Sequence, residues 1–215
     1  MKILSTMDIT GMLESAAAHV MSSIQELNEL DTQIGDGDHG TTMKRVMSSL
    51  CKTLETDTEN DTKTLLDSIG WNIMSQDGGS AGMLMGMFFS GLAKGIEPDQ
   101  TAEERMSAML KHGADALLSG SGAGVGEKTM VDALVPAVST FEETIKGGGD
   151  FLQAMRLSSI AARQGAEDSK KMLPTRGRAK NLKERALGVA DPGATSIALI
   201  FEGFYHYCEH RGLYD

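Results

Sequence analysis

Two cysteines, Cys51 and Cys208, are all that 215 residues contain, too few for a disulfide framework and suited to a reducing compartment. Aromatic residues make up 5%, and runs alternating β-branched or aromatic with polar residues are almost missing, so there is little from which to build strands. Basic residues are scarce too: Lys and Arg total 20 against 30 Asp and Glu, a formal net charge of −10. The densest basic stretch, 176–185, is broken by Gly177, Ala179 and Glu184, so neither a nucleic-acid nor an anionic-membrane surface is expected. No segment reaches the roughly 20 apolar residues of a membrane span. Residues 1–13, with one lysine and no sustained apolar run, do not form a secretory leader. A cytoplasmic protein is the expectation, and with no repeat, low-complexity tract or dividing linker, 1–215 reads as a single domain.

What is there is helical periodicity. Leu13, Ala16, Ala17, Val20, Ile24 and Leu27 are spaced by threes and fours along one stripe, which predicts a first helix. Similar patterns predict helices near 41–54, 64–75, 81–93, 102–118, 129–141, 150–167 and 193–210, about eight in all. Only 197–201 has the short apolar run of a buried strand, and Asp191, Pro192 and Gly193 ahead of it resemble a helix cap with proline in the first turn. The fold class is therefore all-α, built from about eight amphipathic helices.

Four polar, glycine-bearing stretches stand between helices. The sharpest holds Asp31, Asp36 and Asp38 within eight residues, with Gly35, Gly37 and Gly40 interleaved. Three like charges so close repel unless a cation sits among them, and hard carboxylate oxygens suit magnesium, whose other positions go to water and phosphate. A solvated acidic turn capping the next helix is the competing reading. The stretch also fits G-x-G-x-x-G, but no strand precedes it and its aspartates would face a pyrophosphate. It is not a calcium loop either, because Gly40 and Met47 stand where later ligands belong.

In the second stretch, 76–82, small residues open a Met-rich helix, so that backbone N–H groups can approach an anion; close helix packing is the plainer alternative. Met83, Met85 and Met87 read as adaptable core. The third, 120–130, nearly matches the P-loop, but Glu127 intrudes between Gly126 and Lys128, and no parallel sheet supports it. It reads as a mobile glycine-rich loop over a ligand, with Met130 as an apolar wall, or as a surface turn. The fourth offers the Arg178 fork and the helix start at Asp191.

Taken together, residues 34–40, 78–82, 126–134, 177–179 and 191–196 occur in the order and form of one family: the chain closely resembles the nucleotide-binding subunit of the bacterial dihydroxyacetone kinases. The resemblance implies a barrel of eight antiparallel helices with ADP or ATP at one end, anchored by two magnesium ions on Asp31, Asp36 and Asp38. It implies nucleotide contacts at His39, Gly40, Thr41, Thr42, Ser80, Ala81, Gly122, Met130, Arg178, Asp191, Pro192 and Gly193. Members often read Gly-Gly-Ala-Ser-Gly where this chain has Gly78, Gly79, Ser80, Ala81 and Gly82, which leaves open the position that offers phosphate a hydroxyl.

Fused relatives add a ketone-binding domain for which this length has no room. The resemblance thus implies a separate ketone-binding subunit and a phosphohistidine donor subunit of a phosphotransferase system that rephosphorylates bound ADP in place. The phosphoryl group would pass to dihydroxyacetone on the partner, with no certain catalytic side chain in this chain and activity only alongside its partners. A homodimer stays open. So do two rivals: a same-fold kinase subunit using exchangeable ATP on another ketose or carrier-bound substrate, and a nucleotide-loaded regulatory module.

Overall fold

Capping chemistry sets where the helices begin. In the computed structural model, which describes residues 3–58 and 61–212, Ser5 and Asp8 form a reciprocal capping box that starts α1 (Thr6–Ser22), upstream of the first apolar stripe. The Asp61 carboxylate accepts from Thr64 N–H to start α4 (Thr62–Met74). Thr101 and Glu104 box α6 (Ala102–Ser121), and Asp150 caps α8 (Phe151–Asp168). Asp191 accepts from Ala194 N–H at the start of α9 (Pro192–Arg211), so residues 197–201 are helical, as the cap implies. The remaining helices are α2 (Ile24–Ile34), α3 (His39–Thr56), α5 (Gly79–Ala93) and α7 (Val131–Lys146). Residues 1 and 2 of the stretch read for a leader, and the last three of the single-domain range, lie outside the described residues.

One sequence expectation needs correcting. The stripe from Leu13 to Leu27 predicts one helix, but the chain breaks at Ser23 (φ −110°, ψ 13°), and α2 packs chiefly on α3. Val20, Ile24 and Leu27 keep their spacing because the second helix restarts at once, and a periodic pattern does not register a bend that preserves phase.

The packing partners close a ring. α1 lies on α3, α3 on α4, α4 on α5, α5 on α6, α6 on α7, α7 on α8, α8 on α9, and α9 returns to α1. Eight helices complete the circuit and α2 is the one that the closure does not need. A single apolar cluster fills the inside, with Phe88, Phe89, Phe141, Phe151 and Phe201 fully buried. Helix backbones come very close where α7 meets α8: a Cβ on Gly165 would stand 2.0 Å from the Asp132 carbonyl oxygen. The chain reverses between ring neighbours, through α2 between α1 and α3 and through the long segment 169–191 between α8 and α9, so α3, α5, α7 and α9 start at one end, and α1, α4, α6 and α8 at the other. Among the described residues no strand occurs and no helix is long and apolar enough to cross a membrane.

Candidate functional site

The four connections at the first end, before α3, α5, α7 and α9, surround a cavity of about 830 Å3, a size typical of small-molecule sites. Four helix N-termini thus open toward one space, each contributing partial positive charge. The residues gathered there come from every one of the four stretches that the sequence singles out.

Asp31 comes from the last turn of α2, while Asp36 and Asp38 come from the turn that leads into α3. Each of the three offers an oxygen within 4.8 Å of the others. The turn is held by Asp31 itself, whose Oδ2 accepts from the backbone N–H of Asp38 at 2.9 Å and of His39 at 3.2 Å. The aspartate that caps α3 is therefore the distant Asp31, and Asp38, at the N-cap position, makes no side-chain cap bond. The Asp31 carboxylate folds over Gly35, where a Cβ would lie 2.0 Å from Oδ1 and so displace that carboxylate. Asp36 is ion-paired with Arg178 from the opposite rim.

α2 and α3 meet at Gly40, where a Cβ would fall 2.1 Å from the Ile24 carbonyl oxygen. Asn28 Oδ1 accepts from Thr41 N–H at 3.1 Å, which completes the joint. Overpacking typically costs 1–3 kcal/mol, so Gly40→Ala is expected to destabilise by about that much and to push Asp31 away from Asp36 and Asp38. Thermal melts alongside divalent-cation titration check this. A stability loss with unchanged cation affinity would show that the trio does not depend on the α2–α3 joint.

The start of α5 has no side-chain cap among the described residues, and Gly79, Ser80 and Ala81 of its first turn line the cavity. Arg45 braces it from α3, donating to the Asp77 carbonyl at 2.7 Å. Leu84, Met87, Leu117 and Ala123 add an apolar wall with Met130.

The glycine-rich stretch 120–130, read as a mobile loop or a surface turn, is fastened. Asp132 accepts from Gly126 and Thr129 N–H at 2.5 and 2.7 Å, and Arg176 donates to the Gly122 carbonyl at 2.6 Å. Lys128, only 2% exposed and at φ +60°, donates to the carbonyls of Ser169 and Val189 at 2.6 and 2.5 Å. It is thus no P-loop lysine reaching for phosphate: its ammonium ties both ends of the strap 169–190 to the loop. That strap, for which the periodicity predicts nothing, forms 3-10 turns at Ser169–Lys171 and Arg178–Ala186 and carries Arg176 and Arg178 over the cavity.

Electrostatics sharpen the arrangement. Burial pushes the His39 imidazole down to about 4 despite Asp31 and Asp38 nearby, so His39 is neutral and shares a 2.8 Å hydrogen bond with Ser196 Oγ. Desolvation raises the Asp191 carboxyl to about 7, opposed by the Ala194 N–H and the Lys128 charge. Burial also lowers the Lys128 pKa.

Of the expected residues, Asp31, Asp36, Asp38, His39, Thr42, Ser80, Ala81, Met130, Arg178, Asp191, Pro192 and Gly193 line the cavity. Gly40, Thr41 and Gly122 do not: the first two form the α2–α3 joint, and Gly122 ends α6 in the left-handed region at φ 59°. Sequence reasoning gives no site role to Arg45, Arg176 or Lys128. Lys128 carries a signal in the near-match to a P-loop, Arg176 in opening the densest basic stretch, and Arg45 none.

An all-helical ring, with three convergent carboxylates and an open helix start at the mouth of one cavity, defines a class of small-molecule-binding helical barrels. Within that class the chain belongs to the DAK2 domain family, whose model matches residues 33–206. It is 33% identical over 177 residues to the Escherichia coli (strain K12) protein named PEP-dependent dihydroxyacetone kinase, ADP-binding subunit DhaL, covering 82% of this chain and 84% of that one. It is 35% identical, over the same shares of each chain, to the Lactococcus lactis PTS-dependent dihydroxyacetone kinase, ADP-binding subunit DhaL. Identity to the L-erythrulose kinase of Pectobacterium atrosepticum is 29%, over 90% of this chain but 33% of that one. The structure of the C. freundii dihydroxyacetone kinase in complex with AMP-PNP and Mg2+ superposes with a TM-score of 0.70 at 28% identity, covering 92% of this chain and 33% of that one. The chain spans about a third of these two larger kinases. The motif resemblance to the ADP-binding kinase subunits is thereby borne out.

Proposed function

We propose that the chain is one domain that serves as the nucleotide-binding subunit of a dihydroxyacetone kinase. The observation that carries this reading is the convergence of three carboxylates within 4.8 Å at the mouth of a cavity with an apolar wall on one side and the α5 N-terminus on the other. Hard oxygen donors of this kind fit magnesium, and Asp31, Asp36 and Asp38 would hold two such ions. When bound, magnesium supplies charge neutralisation on the phosphate oxygens.

The chain's own groups do the rest by positioning. The uncapped N–H groups at the start of α5 bind phosphate oxygens, and Ser80, which lines the cavity, supplies the hydroxyl donor. Arg178 adds a planar fork from the strap, and Met130 with Leu84 and Leu117 shields a base from water. His39, neutral and tied to Ser196, holds the turn between Asp38 and α9 and carries no proton to the reaction. No general base is needed here, since the acceptor hydroxyl is activated on a ketone-binding partner subunit, and a phosphohistidine protein recharges ADP in place.

Reconstitution tests this. The chain mixed with a ketone-binding subunit, a phosphohistidine donor and dihydroxyacetone is expected to yield dihydroxyacetone phosphate, and the chain alone to yield almost none. No product with any partner would mark a regulatory module; product with ATP alone would replace the in-place route. The likeness to an L-erythrulose kinase favours a second acceptor, so erythrulose belongs in the same assay.

A further inference from the structure

α1 and α9 close the ring, and on this seam, away from the cavity, three of the chain's five histidines meet. His206 and His210 are one turn apart on α9 with ring centroids 4.1 Å apart. His19 of α1 stands edge-on to His206 at 5.2 Å. His206 and His210 are exposed and His19 is half-buried.

We propose that His19, His206 and His210 bind a divalent transition-metal ion of the zinc or nickel class, which clips the first helix of the ring to the last.

Two of the three rings are anchored through Nδ1. His19 Nδ1 lies 2.9 Å from the Ser15 carbonyl oxygen and His210 Nδ1 lies 3.0 Å from that of His206. A carbonyl oxygen only accepts, so each Nδ1 carries a proton, which leaves Nε2 as the nitrogen that each of these two rings can offer to a metal. A backbone carbonyl behind the far nitrogen is the usual support of a metal-ligating histidine.

Spacing agrees. With a Zn–N bond of 2.0–2.1 Å, a ligating ring centroid sits about 3.2 Å from the ion, so two rings at the tetrahedral angle stand about 5.2 Å apart. The His19–His206 pair already has that separation, and the His206–His210 pair must open by roughly an ångström on the same geometry. The three ligand nitrogens are not gathered as closely as the carboxylate oxygens of the acidic trio, so binding also requires a swing of the His206 and His210 rings. Both are exposed, so the rotation exchanges the His210 Nδ1 bond to the His206 carbonyl for water and the metal. Nearby carboxylates are engaged elsewhere: Glu202 takes a two-pronged pair from Arg163 at 2.7 Å, and Glu209 is bonded to Tyr205. The donor set is therefore imidazole, which selects zinc, nickel or copper over magnesium and separates this site chemically from the acidic trio.

The test uses the full chain without a purification tag, stripped of metal and held in excess MgCl2 to satisfy the carboxylates. Titration with ZnCl2 in a calorimeter is expected to show one equivalent bound at micromolar affinity, with a rise in Tm because the clip holds only the folded ring. His206→Gln, checked for intact helicity, is expected to weaken zinc binding by about tenfold or more and to abolish the Tm rise. His19→Gln is expected to weaken it by several-fold, and Asp36→Asn to leave it unchanged. Zinc affinity that survives both His206→Gln and His210→Gln, or that falls with Asp36→Asn, overturns the proposal. So does a zinc-dependent dimer in sedimentation, which would place the ion between two chains.

Discussion

Asp36→Asn is expected to lower the affinity for ADP in the presence of magnesium by about 100-fold or more, because even partners one shell away from a metal cost 10–100-fold when lost. The same substitution is expected to leave the unliganded fold as stable as before. Asp36 is exposed, and its pairing with Arg178 joins two exposed side chains, which is worth little in water. Removing one of three carboxylates whose oxygens lie within 4.8 Å also relieves repulsion. Affinity and stability therefore separate. Calorimetric titration and melting of the same sample check it. A parallel fall in both would mean that Asp36 is structural, and unchanged affinity would remove it from the ion site.

Lys128→Met is expected to produce the largest loss of stability among changes at the cavity rim. Methionine keeps most of the buried stem, but the Ser169 and Val189 carbonyls lose the ammonium that both accept from. A buried polar group left unpaired costs about 1–3 kcal/mol, and the desolvation cost of the lysine is recovered, so the net is about 2–4 kcal/mol. At this chain length the expected fall in Tm is roughly 5–15 °C. Because those carbonyls lie at both ends of the strap, trypsin is expected to cut at Arg176, Arg178 or Lys180 far sooner in the variant. Lys128→Gly separates two effects: it relieves the positive φ of 60° yet forfeits both hydrogen bonds, so it should stabilise the loop backbone without restoring protease resistance. A variant that melts and digests like the parent would show that the strap is held by other contacts.

The parts of the structure that were legible in the sequence share one property: their determinants are local. Leu13, Ala16 and Val20 betray a helix because burial on one face repeats every 3.6 residues. The convergence of Asp31, Asp36 and Asp38 is legible because the stretch that gathers them is eight residues long. The start of α1 was missed because its signal is the capping box of Ser5 and Asp8, polar residues ahead of the apolar stripe. The strap escaped notice for a different reason. Residues 170–185 are largely polar, and their conformation is imposed by Lys128 and Arg176 through bonds to backbone 41 and 54 residues away. A buried lysine is itself rare, so a stretch that reads as a mobile loop or a surface turn gives no sign that Lys128 ties it down. Arg45 was invisible for the same reason, since its partner is the Asp77 backbone.

The measurement that bears most directly on the three carboxylates is the titration of ADP into the metal-free chain, repeated with magnesium. Tight binding that requires magnesium, with two ions taken up per nucleotide and none retained after Asp31→Asn, is the expected result. Equal ADP affinity with magnesium and with chelator would contradict it, because the nucleotide would then be held without any ion between its phosphates and the aspartates.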